Sequence, residues 1–194
     1  MQEEKFLPEE SLQLIQTMID KVKNTVADRS FYFLLWGWLV FIASLLQFVL
    51  KVFVKSSSHG AAWNLMFIGI IVSIFRNVKG AKKRTVTTYV DDSLRYTWIS
   101  IFITQLLFVF VFMRRGDWEY CYTFYMLLYA IGCFITGRII KFSPLVWGAI
   151  GCWFLAIVST FASFDYNILL SALAVLISYI IPGYLLRLNY LKRE

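Results

Sequence analysis

Charged residues break the chain into six long uncharged stretches: Phe31–Leu50, Ser56–Phe75, Tyr96–Met113, Tyr120–Gly137, Phe142–Phe164 and Tyr166–Leu186. Each is about as long as a helix must be to cross a ~30 Å hydrocarbon core. Neither the alternation of a half-buried strand nor the stripe of a soluble amphipathic helix runs through them, because apolar side chains occupy every face. The pattern predicts an all-α, polytopic integral membrane protein with six transmembrane helices in three hairpins, about 31–80, 96–141 and 143–193. Residues 31–194 form the membrane domain on this reading, and residues 1–30 a separate cytoplasmic segment.

The leading segment follows a different period. Pro8 suits a first helical turn, and Glu9 and Glu10 suit the positive end of the helix dipole. Leu12, Ile15, Ile19, Val22 and Val26 then recur at steps of three and four, the spacing of one helical face. An amphipathic N-terminal helix is predicted, with these five residues as a partner face. Its two heptads are too few for a free coiled coil. The face has three possible destinations: the membrane surface, the protein's own cytoplasmic loop, or another chain, either a protein partner or a second copy. The first apolar run is too long for a signal-peptide core, so the first span serves as the targeting signal.

Basic residues give the orientation. Lys5, Lys21, Lys23 and Arg29 precede the first span; Arg76, Lys79, Lys82, Lys83, Arg84 and Arg95 flank the second loop. Arg138 and Lys141 lie in the fourth loop, and Arg187, Lys192 and Arg193 follow the last span. These fifteen of nineteen fall on one side, leaving Lys51, Lys55, Arg114 and Arg115 on the other. The positive-inside rule then places both termini in the cytoplasm. In a cell with two membranes the expected location is the inner one, since outer-membrane spans are strands.

Composition narrows the chemistry. Hydrophobic residues make up 59% of the chain, against about 45–50% in soluble domains. The net charge of +7 is accounted for by orientation and contact with anionic head groups, so membrane lipid and not nucleic acid is the expected partner of the basic residues. All twelve acidic residues lie outside the spans, and no Lys, Arg or His lies well inside one. A proton-driven pump needs such groups. The only histidine, His59, is expected to be exposed in the first outer loop. With it alone there is no His-Glu-x-x-His metal motif and no intramembrane base to activate a serine. Cys121, Cys133 and Cys152 read as small packing residues, and Asp91 and Asp92 as helix-capping groups, not as metal ligands. No enzyme activity, metal or cofactor is expected.

The spans carry neutral polar groups instead. Trp118, Tyr122, Tyr125, Tyr129, Gly132 and Thr136 form a stripe along the fourth. Buried hydroxyls and amides need partners, so Gln47, Gln105, Tyr122, Tyr125 and Tyr129 should point inward. If the first, third and fourth spans adjoin, these five could line a semi-polar cavity. Gly69 and Ser73 suit a close helix approach, and Pro182-Gly183 should kink the last span or free its carbonyls.

The stretch Phe31-Tyr-Phe-Leu-Leu-Trp-Gly-Trp-Leu-Val40, behind a short amphipathic helix, resembles small multi-span bacterial membrane proteins of unassigned function. The resemblance implies location, not activity. Two functions are compatible with the chain: a non-catalytic scaffold, regulator or subunit working through its N-terminal helix and basic loop, or a facilitator or binding protein for a lipid or small neutral solute.

Overall fold

A computed structural model describes residues 8–81, 89–116 and 118–191, with the side chains of residues 8–29, 80, 81, 89, 90, 119 and 189–191 outside that description. The face Leu12, Ile15, Ile19, Val22 and Val26 therefore lies outside the described side chains. Among the described residues every regular element is helical. α1 (Pro8–Val52) is followed by a 3-10 turn, His59–Asn64, and then α2 (Leu65–Ala81). α3 (Tyr89–Arg115), α4 (Cys121–Ile139) and α5 (Ser143–Ser159) come next. α6 (Phe164–Val175) continues through a π turn, Leu176–Ile180, into α7 (Ile181–Leu191). Five segments are long and apolar enough to cross a membrane: Ser30–Val52, His59–Lys79, Asp91–Arg115, Cys121–Ile139 and Phe164–Leu188. The chain has the architecture of a multi-pass membrane protein.

α5 is shorter, with 17 residues, or about 25 Å of helix. It nevertheless matches α4 from end to end. At one end Gly137 abuts Leu145 and Val146; at the other Thr123 Oγ1 lies 2.6 Å from Ser159 Oγ. Ala130, Cys133 and Gly137 on α4 face Leu145, Ala149, Cys152 and Ala156 on α5, all buried. Small side chains let the two backbones approach closely, which in lipid is the main source of helix association. α4–α5 is consequently the tightest helix pair. The three hairpins read from connectivity are each in contact, α1 with α2, α3 with α4 and α5 with α6, and the α4–α5 seam joins two of them. Loop order makes α3–α4 and α5–α6 neighbours, but the small-residue seam decides which neighbours press closest.

The core joins α1, α4, α5 and α6 with its π turn, through Phe33, Val40, Met126, Ile168, Val175 and Tyr179 among others. α2 and α3 sit outside it. Gly69 sets α2 against Trp36 and Leu39 of α1, and Gly132 of α4 receives Trp98 and Ile101 of α3. The other faces of α2 and α3 expose Phe67, Ile71, Phe75, Phe102, Leu106 and Phe110, as a lipid-facing surface should.

The π turn has a local cause. Pro182 has no N–H to give the carbonyl of Ser178, four residues back. Ile181 N–H instead reaches Leu176 O, five residues back, and Cys133 Sγ donates to the freed Ser178 O at 3.4 Å. The widened turn lies between two glycines. A Cβ on Gly37 would stand 2.9 Å from Ile180 Cγ1, and one on Gly148 only 2.7 Å from Ile177 O.

α1 runs unbroken for 45 residues, about 67 Å at ~1.5 Å per residue. The apolar span begins at Ser30. Helix therefore leads into the span from Pro8 without a hinge.

Candidate functional site

Several polar groups of the spans meet at the end of the bundle where α1 finishes and α6 begins. Gln47 is their centre and is 3% exposed. Its Oε1 accepts from Trp63 Nε1 at 2.6 Å and from the Tyr122 hydroxyl. Its Nε2 lies 3.2 Å from His59 Nδ1. Three elements thus converge on one amide: α1, the 3-10 turn and α4. The orientation of that amide follows from chemistry. An indole N–H can only donate, so the atom facing Trp63 must be the oxygen.

Phe164, at the start of α6, closes the cluster. Its ring lies 5.5 Å from that of Tyr122 and 6.4 Å from that of His59. Lys51, one helical turn beyond Gln47, places Nζ 3.8 Å from the Phe164 ring centre and 2.5 Å from Asp165 Oδ1. Such a half-exposed ion pair contributes about 0–1 kcal/mol and the cation–π contact a similar amount. Their role is mainly to hold the end of α1 to the start of α6.

A second cluster of aromatic rings lies deeper. Phe33, Trp98 and Tyr179 pack edge to face with centroids 5.5–5.9 Å apart, and Tyr129 meets Tyr179 at 5.6 Å. Trp98 Nε1 donates to Thr136 Oγ1 at 3.2 Å. Gln105 lies beside Tyr129, and Tyr125 beside Cys121. Among the described residues the five polar side chains expected at a cavity thus fall into separate groups. Gln47 and Tyr122 meet directly, Gln105 and Tyr129 stand together on the α3–α4 side, and Tyr125 is placed against α4's first turn. Gln105 Nε2 is buried without a partner.

Further interhelical pairs tie the core. Ser171 donates its proton to Ile168 O, so Ser44 must be the donor in the 3.2 Å contact between the two hydroxyls. By the same reasoning Ser159 donates to Ala156 O, and Thr123 donates to Ser159.

His59 is the main correction to the sequence reading. Expected at the surface, it is half-buried and bonded to Gln47. The loop between α1 and α2 folds back because the 3-10 turn brings both His59 and Trp63 over the end of α1. The four-residue step from Gln47 to Lys51 already puts both on one polar face of the first span, whereas Phe164 stands in the sequence only as the end of the fifth stretch. All three cysteines are buried and free, and among the described residues no group of three His, Cys, Asp or Glu gathers to hold a metal ion.

Comparison with protein-family models, with curated proteins and with solved structures found no match to this chain.

Proposed function

We propose that this chain is a non-catalytic protein of the inner (plasma) membrane, crossing it six times with both termini in the cytoplasm. It acts as a scaffold, regulator or subunit, through its N-terminal helix and its basic second loop. The observation that carries this reading is the mutual pairing of polar side chains between helices. Gln47 with Trp63 and Tyr122, Ser44 with Ser171, Thr123 with Ser159, and Trp98 with Thr136 form bonds within the bundle. A facilitator for a neutral solute would need such groups turned toward a path. Here they stabilise the fold, each contributing about 0.6–2 kcal/mol.

Two further features support the reading. α5 matches the depth of α4, which favours six crossings, and an even number of crossings would leave both ends on the same side. α1 enters the membrane as one continuous helix from Pro8. A partner held on the Leu12–Val26 face would therefore be rigidly coupled to the bundle.

Photo-crosslinking groups at Ile15 and Ile19, in native membranes, should give adducts to one defined protein chain, while groups at Gln13 and Gln16 should not. With the groups moved to Leu12 and Val22, changing Ile15 and Ile19 together to Asp should abolish that contact and leave membrane insertion intact. Adducts to lipid alone at all four positions would remove the scaffold reading. Orientation is tested separately. In intact cells an impermeant thiol reagent should label a cysteine placed at Ser57 and miss one placed at Thr87; the reverse pattern would overturn the topology.

A further inference from the structure

We propose that His59, Gln47, Trp63 and Tyr122 form a pH-sensitive latch that fastens the loop between α1 and α2 to the bundle, closed when His59 is neutral and opened when it is protonated. The inference goes beyond the scaffold reading and needs no particular partner.

The donor and acceptor inventory carries it. Gln47 Oε1 is fixed toward Trp63 Nε1, 2.6 Å away, because the indole can only donate. The amide nitrogen is then fixed toward His59, with Nε2 3.2 Å from Nδ1. An amide nitrogen donates, so Nδ1 must present a lone pair. His59 is therefore held neutral in this arrangement, with its proton on Nε2. A proton on Nδ1 would set one N–H against another. Turning the Gln47 amide over gives no relief, since its NH₂ would then face the indole N–H. Tyr122 could rotate its hydroxyl to accept, but Trp63 could not.

The charged and titratable neighbours on each packed element act in the same setting. From α1, the Lys51 ammonium lies over Phe164, the ring that His59 also meets, and opposes a second cation. From α6, Asp165 would attract an imidazolium, but its Oδ1 is already 2.5 Å from Lys51 Nζ. From α4, Tyr122 offers a hydroxyl engaged with Gln47. Among the described side chains of the loop itself, Lys55 is exposed. Protonation leaves the closed latch with no satisfied arrangement, and the His59–Asn64 turn separates from Gln47 and Phe164.

The chain has one histidine and seven tryptophans, which makes the test direct. The full-length protein, in lipid nanodiscs and labelled with ¹⁵N in histidine and in the tryptophan indoles, would be titrated from about pH 7.5 to about pH 5. Trp63→Phe identifies the Trp63 indole signal. Above neutrality the imidazole should show the single tautomer protonated at Nε2. As His59 charges, the Trp63 indole resonance should move with the same midpoint. His59→Asn, whose Oδ1 accepts as Nδ1 does, should hold the Trp63 signal at its neutral position throughout. His59→Lys should give the acid-form signal at every pH, and Asp165→Asn should keep the transition. A mixed or Nδ1-protonated tautomer above neutrality would overturn the latch. So would a Trp63 signal indifferent to the His59 titration, or a transition that survives in His59→Asn and vanishes in Asp165→Asn.

Discussion

Replacing Gln47 with leucine is expected to destabilise the protein by about 3 kcal/mol, more than any other single polar substitution in the spans. One side chain serves three partners: Trp63, Tyr122 and His59. Removing it leaves the buried Tyr122 hydroxyl and the half-buried indole N–H without an acceptor. An orphaned buried donor costs about 1–3 kcal/mol in water-soluble proteins, and an interhelical bond in lipid about 0.6–2. Two orphans and a detached loop together give the expected figure. Tyr122→Phe should cost only about 1 kcal/mol, because Trp63 still donates to Oε1. Ser44→Ala should cost less, about 0.6 kcal/mol, because it removes a single hydroxyl pair. Reversible unfolding in mixed micelles with increasing denaturing detergent measures all three. Equal losses for Gln47→Leu and Tyr122→Phe would show that Gln47 is not the centre of the cluster.

That hierarchy was partly legible in the sequence. Gln47 and Tyr122 stood out because an amide and a phenol within an apolar run must find partners, and their inward direction follows from the cost of leaving them in lipid. What the sequence did not convey was the identity of those partners. Trp63 and His59 lie in the weakest of the six stretches, where Ser56–Gly60 is polar enough to read as an exposed loop. Only the 3-10 turn shows that this loop returns over α1. The five polar positions likewise did not gather in one place: Tyr122 and Tyr129 share one face of α4 but lie about two turns apart along it, so Gln47 meets the first and Gln105 the second. Helix spacing fixes which face a residue occupies, but not which neighbouring helix that face meets.

The spans themselves were easier to read, because length and uniform apolarity alone define them. Their pairing was not. Connectivity suggested α3–α4 and α5–α6 as units, while the tightest contact is α4–α5, set by Ala130, Cys133, Gly137, Ala149 and Cys152. Among so many apolar residues, small ones carry the packing information, and a stripe of them on one helix is ambiguous until its partner is known. Pro182 illustrates the opposite case. A missing N–H makes a local irregularity certain, so a freed carbonyl was foreseeable; its pairing with the Cys133 thiol, 45 residues away in sequence, was not.

The π turn is where the bundle is least tolerant of added volume, and Gly148 is its tightest point. An alanine Cβ there would stand 2.7 Å from Ile177 O and 3.0 Å from Ser178 Cα. Both are backbone atoms, so no side-chain rotation relieves the clash. Nor can the turn retreat, because its far side rests on Gly37, where a Cβ would already be 3.1 Å from Tyr179 Cβ. Relaxing to a regular helix is blocked by Pro182, which has no N–H for Ser178 O. Gly148→Ala should therefore destabilise by about 2 kcal/mol, within the range for overpacked cores, and Gly148→Val by enough to prevent accumulation of folded protein. Gly151, one turn further along α5, is the internal control. Its nearest contact would be Ile177 Cγ2 at 3.4 Å, an ordinary approach to a movable side chain. Gly151→Ala should be neutral or stabilising by up to about 1 kcal/mol, the helix-propensity gain. Unfolding midpoints in micelles, together with yields of monodisperse protein, compare the two sites. A Gly148→Ala variant as stable as Gly151→Ala would mean that the π turn is free to shift away from α5, and that the two glycines do not clamp it.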